Sequence, residues 1–460
     1  MNRELIGDDL HRLVKLAMDS GEVSTLEQAK ELFAGYQLGL EIGPDVATSP
    51  TMQAAVLTAV NTGRRCFLGG VQVVGNLDVD LRVPWRKCRT LAEAVIDLQG
   101  KVVKTVTPTL PRIVFGDVDS NTSVSTFVVR ATFEGWAGGV IPFDDVRRLP
   151  EQHEFTPSGV LAGALAVSEA FQFVRGGNAQ AGRREVGLSL WRPEEGVSWL
   201  EDSAFGPPLE HLPSKLWLIG LGHLGQAYLW TLGFLPYAQP DEVQIVLQDY
   251  DTLVRANDST SLLTSLEILG EKKTRATAHW CEERGFRTAI QERRFDANFG
   301  IDSDEPQVAL CGVDNPMARA ALEDVGFGRI IEAGLGGGTQ EYLALQVHTF
   351  PSRQSARKRW GSIKHVHGVE SIVRQPAYQI LATEGLDQCG LTMLAGRSVG
   401  ASFVGATTAA IVIAELLRLV LGEHRYETID ANLRSLQHRQ AIASNMVDEP
   451  FNPGYTKVIP

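Results

Sequence analysis

A lysine, three aspartates and two asparagines follow a glycine-rich turn in this chain, and their types and spacing suit chemistry on a nucleotide phosphate. The turn is Gly220-Leu-Gly222-His-Leu-Gly225, placed after the apolar run Lys215-Leu-Trp-Leu-Ile219. Glycines at that spacing let the backbone approach a phosphate, and a helix starting there offers unpaired N–H donors. A second apolar run, Val243-Gln-Ile-Val-Leu-Gln248, ends in Asp249-Tyr-Asp251. Asn257, Gly270-Glu-Lys-Lys273 and Cys311-Gly-Val-Asp314-Asn315 follow. One cation and several oxygen acceptors beside a phosphate loop suit ATP–magnesium and acyl-adenylate chemistry better than hydride transfer.

Taken singly, each residue has a plainer explanation. Gly220, Gly222 and Gly225 would serve a nicotinamide or flavin enzyme equally well, and Asp249 is where either class places an acceptor for ribose hydroxyls. Asp251 and Asn257 are common loop residues, Lys273 is an ordinary helix charge, and Asp314 would cap a helix starting at Pro316. The joint spacing decides between the readings.

That joint pattern resembles the E1-like superfamily, which includes the ThiF and MoeB activators and the ubiquitin-activating enzymes. Asn257 stands eight residues after Asp249, Lys273 closes a Gly-x-x-Lys with Gly270, and Asp314-Asn315 supplies the pair after a later strand. One position departs: the family arginine three residues after the asparagine is Thr260 here. The resemblance implies ATP and Mg2+ as cofactors and adenylation of the C-terminal glycine of a ubiquitin-like protein. It assigns phosphate contacts to Lys273 and Asn257, magnesium to Asp314, and ribose hydroxyls to Asp249, with Asp251 nearby. It implies thioester formation on Cys389 and transfer to an E2-like partner, and it leaves room for a homodimer. Arg255, or an arginine from the N-terminal half, would replace the cation missing at Thr260. Two other readings stand beside it: an NAD- or FAD-dependent oxidoreductase, and a catalytically weak pseudo-E1 scaffold, the latter motivated by Thr260.

The elements that must position these residues divide at a turn-rich seam near 195–213. The expected fold class is α/β with tandem Rossmann-like halves, 1–200 degenerate and 201–460 the active ThiF-type adenylation domain. No Gly-x-Gly-x-x-Gly follows a strand in the first half, which is therefore expected to bind no nucleotide. Residues 25–36, 51–62 and 157–174 have helical apolar spacing, while 71–74 and 125–133 read as strands. The segment Ala164 to Val174, with Glu169, echoes Ala410 to Val420, with Glu415. Either a common amphipathic template or a degenerate duplication accounts for the echo. After Gly334-Leu-Gly336-Gly337-Gly338, where a thin peptide tail would pass, residues about 350–388 read as a crossover loop. This stretch carries Arg353, Arg357, Lys358 and Arg359, and its His365, His367 and Glu370 complete no ligand set.

Composition narrows the classes further. A chain of 460 residues, 44% hydrophobic, is long enough for two or three cores. Its net charge of −12 argues against nucleic acid as a partner. Five scattered cysteines without a CxxC pair give neither a disulfide scaffold nor a zinc site, and free thiols suit a reducing cytoplasm. The apolar stretch from Val399 to Ala414 falls short of the roughly 20 residues a membrane span needs. It is expected to be a buried core helix, with no membrane contact.

Overall fold

Two β-sheets built on one plan carry the chain. The computed structural model describes residues 5–85, 87–118, 125–361, 369–423, 425–444, 446 and 451–459. The first sheet contains β1 (Gln37–Ile42), β2 (Gly70–Gly75), β3 (Lys101–Val102), β4 (Arg112–Phe115), β5 (Val128–Glu134), β6 (Ala137–Pro142) and β7 (Val186–Ser189). A short strand, β8 (His211–Pro213), opens the second half. Then come β9 (Lys215–Ile219), β10 (Gln244–Gln248), β11 (Arg287–Gln291), β12 (Val308–Cys311), β13 (Arg329–Leu335), β14 (Ala344–Phe350), β15 (Tyr426–Asn432) and β16 (Gln440–Ala443). A last strand, β17 (Tyr455–Lys457), pairs with β8.

The strand order is β3-β2-β1-β4-β5-β6-β7 in the first sheet and β11-β10-β9-β12-β13-β14-β15-β16 in the second. Numbered from β1 and from β9, both sheets therefore read 3-2-1-4-5-6-7, and the second adds an eighth strand, β16. In both, the first five strands run parallel and the next two antiparallel. Strands β4 and β12 are buried along their whole length, as parallel strands covered on both faces must be.

The helix echo lies at the same place in both halves. Thr156–Val174 connects β6 to β7, and Ser402–Leu421 connects β14 to β15. Glu169 accepts the Gly182 N–H at 2.9 Å and Glu415 the Tyr426 N–H at 3.0 Å. Each glutamate thus ties down the chain as it returns towards the next strand.

Both helices are long and apolar enough to cross a membrane, yet the protein itself buries 89% and 83% of their apolar windows. The second is longer than the apolar stretch suggested. It continues through Glu415 and Arg418, which neutralise each other at 2.9 Å inside the core. These helices, with Pro50–Gly63 and His223–Leu232, fill the space between the halves. Small residues allow the close crossings: a Cβ on Gly159 would lie 2.1 Å from the Thr51 carbonyl oxygen. Across the seam, Trp230 donates to Thr58 Oγ1 at 3.0 Å and Ser402 to the Thr62 carbonyl at 3.0 Å.

The crossover stretch is a correction to the sequence reading. Where a loop is expected over about 350–388, the chain forms helices Ala356–Trp360, Val369–Val373 and Pro376–Thr383, followed by Gln388–Ala395. Each is too short for an apolar period to accumulate. Each of the last two buries only three side chains, Ala377, Tyr378 and Leu381 in one and Leu391, Leu394 and Ala395 in the other. The charges are tied down as well, Arg357 to Asp324 at 2.6 Å and Arg353 to Glu427 at 3.4 Å. His365 and His367 lie outside the described residues.

Candidate functional site

A cleft of about 470 Å³ opens where β9 and β12 end, the point at which the strand order reverses. Open α/β sheets bind ligands there. The glycine loop forms one wall, and each glycine has its own reason. Gly220 takes φ +84°, and a Cβ on it would meet Val313 at 2.8 Å. A Cβ on Gly225 would lie 2.0 Å from the Gly220 carbonyl oxygen, so that glycine lets helix His223–Leu232 start against the turn. Gly222 faces open space, where a ligand can approach its backbone.

Asp249, Asp251, Asn257, Lys273 and Asp314 all line this cleft with Gly220 and Gly222. Asp249 is occupied structurally: one carboxylate oxygen accepts the Leu221 N–H at 2.7 Å and the other the Asp251 N–H at 2.8 Å. It therefore fixes the glycine loop to the end of β10, and each oxygen keeps a lone pair for a hydroxyl. Lys273, 8% exposed, sits 2.8 Å from Asp251 and 4.0 Å from Asp249. Its position depends on the Gly270 turn at φ +92°. Asn257 Oδ1 accepts the Val254 N–H at 2.9 Å, and its amide N–H2 makes no hydrogen bond among the described residues. The exposed carboxylate of Asp314 is likewise unpaired among the described residues.

The loop before Asp314 is clamped from behind. Arg319 donates to the Val313 carbonyl at 2.8 Å and pairs with buried Glu332 at 3.0 Å, which in turn holds His348 at 2.9 Å. Asn315 caps the helix Pro316–Ala320 by accepting the Met317 and Ala318 N–H groups.

The cation missing at Thr260 has a neighbour that the sequence did not single out. Arg12, the first residue of helix Arg12–Asp19, lines the cleft together with Thr260, whereas Arg255 does not. Its Nη1 is buried without a hydrogen-bond partner among the described residues. Burial, with Arg397 nearby, lowers its pKa to about 10. The helix is anchored by Lys15, fully buried, which bonds Asp19 and the Ala395 carbonyl, while Tyr378 donates to Asp19 at 2.6 Å. Arg64 further fixes the Asn257 turn through Asp258 at 2.8 Å.

His11, the residue before that helix, caps it through Nδ1, which accepts the Leu13 N–H at 3.2 Å. Burial pushes its pKa down to about 4. Since the folded value lies below the unfolded one near 6.5, the folded state binds fewer protons, and stability is lost as pH falls from about 6.5 towards 4. Acid melts should show this loss, on the order of 1–3 kcal/mol for His11 alone. His11→Asn, which caps without titrating, should flatten that part of the profile; an unchanged slope would contradict the burial argument.

The corresponding corner of the first sheet is bridged by charged side chains. There Asp45 accepts the Asp117 N–H at 2.8 Å and pairs with Arg148 at 2.7 Å, which also pairs with Glu151 at 2.5 Å. A Cβ on Gly116 would lie 2.1 Å from Asp45 Oδ1.

A second cavity of about 160 Å³ continues from the cleft. The two share His223, Gly312, Val313, Asp314 and the stretch Ser398–Gly400, and Gly336, Gly337 and Tyr342 line the far side. Cys389 lies outside both, in the first turn of helix Gln388–Ala395, and is exposed. Gly390 opens no path to it. A Cβ there would meet Leu386 at 2.7 Å, so the glycine serves local packing.

A glycine loop at a strand-order reversal, with lysine, asparagine and aspartates converging on one cleft and a second half of the same topology, defines an E1-like protein of Rossmann type. The chain belongs to the bacterial E1-like BilD family: the family's N-terminal domain matches residues 37–190 and its C-terminal domain residues 212–423. It is 42% identical to the bacterial E1-like protein BilD of Collimonas sp. (strain OK412) over 461 residues, covering 100% of this chain and 98% of that one. Among solved structures it is similar to E. coli MccB with MccA-N7isoASN, at 12% identity and TM-score 0.33 over 50% of this chain and 65% of that one. Another is E. coli tRNA N6-threonylcarbamoyladenosine dehydratase, TcdA, in complex with AMP, at 12% identity and TM-score 0.28, covering 45% and 86%.

Proposed function

We propose that this protein adenylates the C-terminal glycine of a ubiquitin-like protein and passes the acyl group through Cys389 to an E2-like partner. The observation that carries the reading is the presence of Lys273, Asn257, Asp314 and Arg12 together in the lining of the cleft beside open Gly222. In the first step a carboxylate oxygen of the substrate bonds to the α-phosphorus of ATP, and the bond to the β-phosphate oxygen breaks, releasing pyrophosphate. Lys273 would exchange its contact with Asp251 for phosphate oxygens, and the Asn257 amide would donate to them. Asp249 would accept from the ribose. Arg12 would supply the charge that Thr260 lacks. Asp314 would hold magnesium together with the phosphates, an arrangement that suits an ion usually bound by one or two carboxylates and its substrate. When bound, the ion would neutralise negative charge on the triphosphate. The smaller cavity, with Gly312, Gly336, Gly337 and Gly400 in its wall, suits a thin glycine-ended tail. In the second step the thiolate bonds to the acyl carbon and AMP leaves.

The direct test is ATP–pyrophosphate exchange with a ubiquitin-like protein ending in glycine, alongside an ATP titration. One nucleotide per chain is expected, exchange should require the protein substrate, and Arg12→Ala should slow it about 10–100-fold if it meets phosphate as a charged donor. Two equivalent ATP sites, or tight NADH binding without ATP binding, would defeat the reading.

A further inference from the structure

Residues 257–264 belong to the second half and carry two residues of the cleft lining, Asn257 and Thr260. Much of what holds this segment comes from the first half. Helix Pro50–Gly63 ends against it, and Asn61, Arg64 and Arg65 donate to it from there. The Asn61 amide donates to the Leu262 carbonyl at 3.0 Å. Arg65, 1% exposed, donates through Nη2 to the carbonyls of Ser261 at 3.0 Å and Thr264 at 2.9 Å. Its Nη1 donates to the Asn61 carbonyl at 2.9 Å and to Asn61 Oδ1, so the two side chains hold each other in place. Arg64 reaches the Thr264 carbonyl at 3.2 Å and holds the Asp258 carboxylate with both Nη atoms, at 2.8 and 3.4 Å.

Short links carry these anchors to the nucleotide cleft. Asp258 adjoins Asn257 in the chain. Ser261, whose carbonyl Arg65 holds, donates its own N–H to the Asn257 carbonyl at 2.8 Å, and Thr260 donates there at 3.1 Å. On the other flank, Gln226 Oε1 accepts the Leu263 N–H at 2.9 Å and the Thr264 hydroxyl at 3.1 Å. The Gln226 amide donates in turn to the Leu221 carbonyl of the glycine loop at 3.1 Å. Residues 261–264 therefore stand between the first half and two parts of the cleft wall, the Asn257 turn and the glycine loop. A guanidinium is a rigid fork, so its bonds fix the direction as well as the distance of the groups it holds.

We propose that Arg64 and Arg65 are positioning residues for the nucleotide: from the half without a glycine loop they hold the Asn257 turn, through Asp258 and Ser261, so that the Asn257 amide meets the phosphate oxygens. The inference rests on the adenylation reading, in which Asn257 donates to those oxygens. The first half then serves the nucleotide site through geometry as well as through the charge of Arg12.

The experiment is a double-mutant cycle on the full-length protein, read by calorimetric titration with magnesium–ATP. Arg64→Met, which keeps an unbranched stem and loses the fork, should weaken ATP about 3–30-fold, within the coupling found between residues of one hydrogen-bond network. Asp258→Ala removes the same link from the other side and should do likewise, and the two together should lose little more than either alone. In an Asn257→Ala background, Arg64→Met should add less than about twofold, since nothing remains for it to position. A merely structural role predicts the same loss with and without Asn257. Arg64→Lys keeps the charge without the fork, should behave like Arg64→Met, and keeps the cycle available if the methionine variant does not fold. Unchanged ATP affinity in the Arg64 variants, or an equal loss in both backgrounds, would overturn the assignment. Wild-type affinity in Asn257→Ala would refute this inference alone. A wild-type protein that binds no ATP refutes the adenylation reading and this inference with it.

Discussion

Asp314→Ala and Lys273→Ala should each slow ATP–pyrophosphate exchange about 10²–10³-fold, the usual consequence of removing one well-placed electrostatic contact from a charge-stabilising site. The two should fail differently. Lys273 is nearly buried and neutralises Asp251 and Asp249 in the resting protein. Its removal leaves Asp249, whose carboxylate holds the Leu221 N–H, beside an uncompensated Asp251, so nucleotide affinity should fall along with the rate. Asp314 is exposed and makes no side-chain hydrogen bond among the described residues. Removing it should leave the fold and the melting temperature nearly unchanged, with the loss confined to the metal-dependent rate. Added magnesium should then recover part of the exchange. Asp314→Ala exchanging at the wild-type rate would remove the adenylation assignment, since the carboxylate would have no work left to do in the cleft.

How much of this could be read beforehand depended on sequence distance. The glycine loop, the Asp249–Asp251 turn and Asp314 each follow a strand by a few residues, and Lys273 closes the turn at Gly270, so local spacing carries them. The fold then brings all of them to one cleft. Arg12 is different. It reaches the site only because helix Arg12–Asp19 packs on Ala395 and Tyr378 through the buried Lys15–Asp19 pair. No spacing rule joins residue 12 to residue 260. The likeness of the two halves left one legible trace, Glu169 and Glu415, each of which accepts a backbone N–H of the returning chain. The shared strand order has no signature in a single sequence. The Asp45–Arg148–Glu151 cluster at the matching corner of the first half joins residues too far apart in the chain for any spacing to signal it. The crossover helices escaped because helices of five to eight residues give too few turns for an apolar stripe to register.

Cys389→Ala should abolish any reducing-agent-sensitive conjugate with the ubiquitin-like protein while leaving adenylate formation intact. Location separates the two effects. The thiol lines neither cavity, so its loss removes no contact to nucleotide or tail. It sits about 9 Å along its helix from Ala395, by the rise of an α-helix, and the next residue, Gly396, borders the cleft. Among the five cysteines it is the exposed one. Burial pushes the thiols of Cys66, Cys281 and Cys311 up to about 12 and that of Cys88 up to about 11, so none of the four offers a ready thiolate near pH 7. Cys389 lies in the first turn of its helix, which Asp387 caps by accepting the Gly390 N–H at 2.9 Å. A conjugate that survives Cys389→Ala would move the transfer step to another residue or end the reaction at the adenylate. Loss of adenylation in the same variant would mean that the first turn of this helix shapes the cleft through Gly396.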